Sequence, residues 1–207
     1  LSSSPTINIT GEISNIAMTA SSTTNVWIYP WTVSTTTSGI VSATVSAYDL
    51  ANNAYSGTDS ITFTIDNTTP TVTLTDSDFD NIVKGSSVVT ITATFSEAIV
   101  ASPTINITGE VSNISMTETS SPSVWIYPWT VSTTTSGIVS ATISGIDISG
   151  NSYSGTDSIT FTIDNSTPEI ISSGLTSDNL FFNITFDDDV FTDLISGQGS
   201  NSCLLYT

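Results

Sequence analysis

Carboxylates stand at alternate positions in Asp76-Ser77-Asp78-Phe79-Asp80-Asn81, a spacing that lets several oxygens converge on one hard cation. The run begins like an EF-hand loop. It lacks the glycine at the sixth position and the distant glutamate, which excludes that motif. Two more acidic and amide sets accompany it: Asp49 with Asn52 and Asn53, and Asp66 with Asn67. Further along the chain the equivalent residues are Asp147, Asn151, Asp164 and Asn165, with Asp178 as a weaker candidate. If such groups meet at one end of a folded unit, like charges repel unless a cation lies among them. Oxygen-only donors favour calcium over softer ions. The competing reading is an ordinary solvated turn, because an Asp side chain readily bonds its own nearby backbone.

Other chemistries fare worse. Glu97 and its counterpart Asp188, inside Asp187-Asp188-Asp189, could suggest the paired acids of a glycosidase. They recur with a structural repeat, sit in turns and lack a partner acid, so catalysis is not expected of them. Ser and Thr exceed a third of the 207 residues, yet there is no His to act as base and no G-x-S-x-G elbow. Cys203 is the only cysteine, so neither an internal disulfide nor a Cys/His zinc site can form. Lys84 is the only basic residue and the formal net charge is -18. Such a polyanion repels nucleic-acid phosphates and anionic headgroups, since phosphate binding is driven by Lys and Arg displacing counterions. No apolar run approaches the roughly 18 to 20 residues of a membrane-spanning helix, and no secretion signal is visible at Leu1.

The elements that must position these residues come from a repeat. SPTINITGEISNIAMT from Ser4 recurs as SPTINITGEVSNISMT from Ser102, and the match runs on through VWIYPWTVSTTTSGIVSAT and YSGTDSITFTIDN to Pro70 and Pro168. The offset is 98 residues without insertion, and 52 of 67 aligned positions are identical. That period is too long for a solenoid coil and suits an immunoglobulin-type domain. The prolines that close IDNTTP and IDNSTP, Pro70 and Pro168, mark the boundaries. They divide the chain into 1–68, the later part of one unit; 69–167, a complete unit; and 168–207, the opening of a third.

Within the complete unit the apolar period is two: Val72 and Leu74; Val89, Ile91, Ala93 and Phe95; Ile105 and Ile107; Val139, Ala141 and Ile143; Ile159, Phe161 and Ile163. Thr and Ser fill the alternate positions, as on a solvated face of an antiparallel sheet. About seven short strands and no helical stretch predict an all-β sandwich. Trp125, Tyr127 and Trp129, like Trp27, Tyr29 and Trp31, alternate along one strand and read either as core filling or as a platform for sugars. Pro30 and Pro128 place that strand at an edge or a bulge. Six N-x-S/T sequons, Asn8 and Asn106 among them, are what chance supplies in so Ser/Thr-rich a chain.

The ordered series TPTVTLTDSDFDNIVKGSSVVTITATFSEAI, INITGEVSNI, WIYPWTV, GIDISGN and SITFTIDNSTP resembles the bacterial Ig-like tandem repeats of large surface adhesins and biofilm-associated proteins. The tail ISGQGSNSCLLYT departs from the pattern. The resemblance implies tandem immunoglobulin-like β-sandwich domains, one complete and two truncated, in an extracellular cell-surface stalk whose linkers bind Ca²⁺. The partners it implies are neighbouring Ig-like repeats of the same chain, with any glycan or cell-surface ligand met through other domains. The alternatives are a carbohydrate-binding accessory module of a secreted polysaccharide-degrading enzyme, and a structural domain of a phage or filament surface.

Overall fold

The computed structural model describes residues 1, 3–177 and 181–187, and it is all-β, with no helix among them. Asp178, Asp188 and the divergent tail 193–207 lie outside the described residues. No helix long and apolar enough to cross a membrane occurs among the described residues.

The first unit contributes β1 (Thr6–Ile9), β2 (Ile13–Ala17), β3 (Thr19–Ala20), β4 (Trp27–Ile28), β5 (Gly39–Ser46) and β6 (Ser60–Ile65). The second contributes β7 (Val72–Asp76), β8 (Ile82–Val83), β9 (Val88–Phe95), β10 (Thr104–Ile107), β11 (Val111–Ser115), β12 (Thr117–Glu118), β13 (Val124–Thr130), β14 (Gly137–Ser144) and β15 (Ser158–Ile163). A hairpin of β16 (Ile170–Leu175) and β17 (Phe182–Phe186) follows. In the second unit two sheets, ordered β11-β10-β14-β15-β8 and β12-β13-β9-β7, contribute to one core. All their pairings are antiparallel except β8 with β15, where Ile82 and Val83 lie beside Thr162 and Ile163 in parallel.

The core follows from the period of two. Val89, Ile91, Ala93 and Phe95 on β9 are buried, as are Ile105, Ile107, Val139, Ala141, Phe161 and Ile163 from the other sheet. Their Thr neighbours face out, so each strand buries one face and solvates the other. Trp125 and Trp129 point into this core from β13, and Trp129 meets Phe161 at 5.2 Å between ring centroids with the planes tilted by 58°. Pro128 is tolerated because β12 reaches only Trp125 and Ile126, leaving that side of β13 without a strand neighbour at the proline. The edge position expected from Pro128 is thus met locally, since β12 flanks β13 only at Trp125 and Ile126.

One carboxylate ties the sheets together. Glu110, in the β10–β11 turn, accepts hydrogen bonds at Oε2 from Trp129 Nε1 (3.3 Å) and from the backbone N–H of Ser132 (2.9 Å) beyond β13. Glu12 repeats the arrangement with Trp31 and Ser34. Tyr153 closes a second loop by donating its hydroxyl to Asp157 (2.6 Å) while its ring meets the edge of Phe95. Burial, reinforced by the Asp157 carboxylate, raises the Tyr153 phenol above the ordinary tyrosine range.

The first unit supplies an internal control. Its sheet β2-β1-β5-β6 repeats β11-β10-β14-β15 in register, with Val41 opposite Phe63 and Ala43 opposite Ile61 as Val139 is opposite Phe161 and Ala141 opposite Ile159. No described strand corresponds to β7 or β9. Phe161 is 0% exposed and Phe63 41%; Val131 is 2% exposed and Val33 43%. The aromatic strand responds as well: β13 spans seven residues against β9, and β4 only two. Identical local sequences differ here only in what lies across from them.

Candidate metal centre

Three carboxylates gather where the first unit meets the second. Asp66 leaves the end of β6, Glu97 sits in the turn after β9, and Asp147 lies just beyond β14. One carboxylate oxygen from each lies within 4.8 Å of the others. Asp147 has no exposed surface, whereas Asp66 and Glu97 are half-buried.

Each side chain is held by local backbone. Asp147 Oδ1 accepts from the N–H groups of Ser149 and Asn151, both at 2.8 Å, and its Oδ2 accepts from Asn151 Nδ2 at 2.9 Å. These bonds allow a carboxylate to be buried. The turn requires a left-handed residue, supplied by Gly150 at φ 94° and in the first unit by Asn52 at φ 66°. Asp147 is further fixed by an isolated bridge to Ile99, two residues from Glu97. Across the junction, Asn151 Nδ2 donates to the Asp66 carbonyl (3.1 Å) and Ser149 Oγ to Asp66 Oδ2 (3.3 Å). Thr68 completes the set, its N–H (3.0 Å) and hydroxyl (2.6 Å) both donating to Asp66 Oδ1.

The electrostatics record the crowding. Burial raises the Glu97 carboxyl above the usual glutamate range, and the charges of Asp147 and Asp66 push it further. Asp66 moves the other way, held below the usual aspartate range first by the Thr68 hydroxyl and then by its N–H. In chemical terms the donors are all hard oxygens. Calcium binds such oxygens at about 2.3–2.6 Å, so opposite ligands lie about 4.6–5.2 Å apart. The trio therefore fits one calcium ion with little movement. Asp66, Glu97 and Asp147 would hold the ion, with Asn151 and Ser149 orienting Asp66 around it.

The remaining predicted residues are placed as follows. Asp49 and Asn53 form the same closed turn as Asp147 and Asn151, with Asn53 N–H and Nδ2 donating to Asp49 at 2.7 and 2.8 Å. Asp164 repeats the Asp66 turn by accepting from Ser166 N–H at 2.8 Å. Asn165 is a staple: its Nδ2 donates to the carbonyls of Ser132 and Thr135, and its Oδ1 accepts from Gly85 N–H. Asn67 makes the corresponding donations to Ser34 and Thr37. Asp76 accepts from Asp78 N–H at 2.9 Å and Asp80 from Ile82 N–H at 3.1 Å, each shaping its own loop. Asp78 Oδ2 is buried without a partner among the described residues. Asp66 and Asp147 are thus brought together, while the Asp76–Asp80 loop and the Asp49 turn are not part of that cluster.

Glu97 is the residue that sequence reasoning set aside. Its position two residues after the apolar run ending at Phe95 placed it in a turn, but nothing local indicated that this turn meets Asp147. Trp125 and Trp129, weighed as a sugar platform, have their rings in the core and offer no free face for stacking. In comparison with known proteins, the chain matches no family model and no curated sequence.

Proposed function

We propose that the chain is a non-enzymatic spacer from an extracellular, cell-surface stalk of the bacterial adhesin or biofilm kind, its immunoglobulin-like units stiffened at each junction by calcium. The observation that carries this reading is the position of Asp66. It directly follows the last strand of one unit, yet one of its carboxylate oxygens lies within 4.8 Å of those of Glu97 and Asp147 in the next. A cation among the three removes their mutual repulsion and ties β6 to two turns of the following unit. Free energy of binding then becomes rigidity of the junction. The recurrence of both half-sites, in Asp49 with Asn53 and in Asp164 with Ser166, supports a centre repeated along an array. The adhesin or biofilm context comes from the resemblance of the repeat.

Calorimetry and small-angle scattering in EDTA and in millimolar calcium test the proposal. At a calcium concentration one hundred times Kd, linkage adds about 2.7 kcal/mol to folding. The melting temperature then rises and the particle lengthens, and both responses disappear in Asp66→Asn. Superimposable melts and scattering profiles in the two buffers would end this reading.

A further inference from the structure

A peptide group carries one donor and one acceptor, and the group joining Asp66 to Asn67 directs them to different units. Its N–H donates to Ser38 Oγ of the first unit (3.1 Å). Its C=O accepts from Asn151 Nδ2 of the second (3.1 Å). Neighbouring bonds fix this peptide firmly to the first unit. Asn67 Nδ2 donates to the carbonyls of Ser34 and Thr37, and Thr68 holds the Asp66 side chain through its N–H and hydroxyl.

The donor in the second unit is set just as firmly. Asn151 N–H bonds Asp147 Oδ1 (2.8 Å), its C=O accepts from Asp147 N–H (3.0 Å), and its Nδ2 bonds Asp147 Oδ2 (2.9 Å). All three contacts are internal to one turn, and Asn53 repeats them with Asp49 in the first unit. The turn itself therefore aims the amide. Asn151 Nδ2 carries two hydrogens, one for the Asp147 carboxylate and one for the Asp66 carbonyl. Because both acceptors are oxygens, only the nitrogen of the amide can face them.

We infer that Asn151 pins the second unit to the first through the Asp66–Asn67 peptide, with or without a cation at the neighbouring carboxylates. The amide and the carbonyl are both uncharged, so the pin needs no ion and stands apart from the calcium reading. It works against the mutual repulsion of Asp66, Glu97 and Asp147 and keeps Asp66 beside the other two in calcium-free solution. A bond at one point fixes separation but leaves rotation about that point. An ion held by the three carboxylates then adds angular stiffness to a joint that is already closed. The Ser149 hydroxyl, 3.3 Å from Asp66 Oδ2, contributes a longer contact beside the pin. The two devices can be removed separately: Asp66→Asn loses a carboxylate and keeps the backbone carbonyl, while Asn151→Ala loses the pin and keeps all three carboxylates.

The test uses the full chain in a Cys203→Ser background, with spin labels at Ile40→Cys and Ile138→Cys, exposed positions on β5 and β14. Pulsed dipolar spectroscopy in EDTA is expected to give one narrow distance distribution for the parent. Asn151→Ala and Asn151→Asp should each give one about twice as wide, as for a short free linker. Asn53→Ala, which removes the equivalent amide from the first unit, leaves the width unchanged. Asp66→Asn stays narrow in EDTA and shows no response to calcium. In the unlabelled parent the Asn151 side-chain amide should exchange for deuterium severalfold more slowly in EDTA than that of Asn53. A parent distribution in EDTA as wide as that of Asn151→Ala overturns the inference, and so do equal exchange rates for the two amides. A parent that is narrow in EDTA, widened by Asn151→Ala and unmoved by calcium supports the pin and removes the calcium reading.

Discussion

Truncating the same phenylalanine in the two copies separates the contribution of a side chain from that of its surroundings. Phe161 and Phe63 occupy equivalent places in β15 and β6, opposite Val139 and Val41, but are 0% and 41% exposed. Phe161→Ala removes a fully enclosed ring under Trp129 and leaves a cavity, for which the expected loss is about 3–5 kcal/mol. Phe63→Ala removes a ring only about three-fifths buried that lines an open hollow with Trp31 and Val33, so no closed cavity remains. Scaling the roughly 1.5–3 kcal/mol of a buried Phe by that fraction gives about 1–2 kcal/mol. Native-state hydrogen exchange with mass spectrometry on dilute protein can read both units in one sample. Peptides carrying Val45–Asn53 or Ile143–Asn151 differ in sequence and distinguish the copies. Equal losses of protection in the two variants would refute the reasoning, because they would mean that Phe63 is covered as completely as Phe161.

Three further outcomes are expected. Glu97→Gln raises the melting temperature in chelator at neutral pH, by removing one of three crowded charges, and lowers it in millimolar calcium; a change of the same sign in both buffers counts against a shared cation. Glu110→Ala strands the Trp129 and Ser132 N–H donors and costs about 2–4 kcal/mol in urea unfolding, and a loss below about 0.5 kcal/mol would show that the tether is ornamental. Tyr153 has a phenol raised in the folded state, so its contribution is intact below the ordinary tyrosine range and is lost as pH climbs through the raised value. Tyr153→Phe therefore shows a shallower decline of stability in alkali than the parent chain, and parallel declines would exclude this source.

Much of the fold is legible because its signals are local or repeated. Alternation such as Val89-Ile91-Ala93-Phe95 specifies a strand and its buried face at once. The 98-residue offset likewise marks the units without reference to contacts. Short elements escaped that reading: β8 and β12 have two residues each, too few to show a period. The carboxylate cluster was half legible. Asp66 and Asp147 stand out as acids in turns, but their meeting depends on how one unit is set against the next. Glu97 looked like turn punctuation, while the more conspicuous Asp76-Asp78-Asp80 run shapes its own loop. Glu110 carried no signal at all, since one acid in a Gly-Glu turn says nothing about a tryptophan 19 residues away.

The parallel pairing of β8 with β15 bears on how a unit responds when its ends are pulled. β8 belongs to the opening of the unit and β15 to its close, and Gly85 just past β8 is bonded to Asn165 just past β15. Opposed tension on the unit's two termini slides these strands along each other, so their bonds resist together in shear and do not open one at a time like a zipper. The weakest point under load should then be this two-residue clamp and the Asn165 amide behind it, and Asn165→Ala should lower the unfolding force measured by single-molecule stretching.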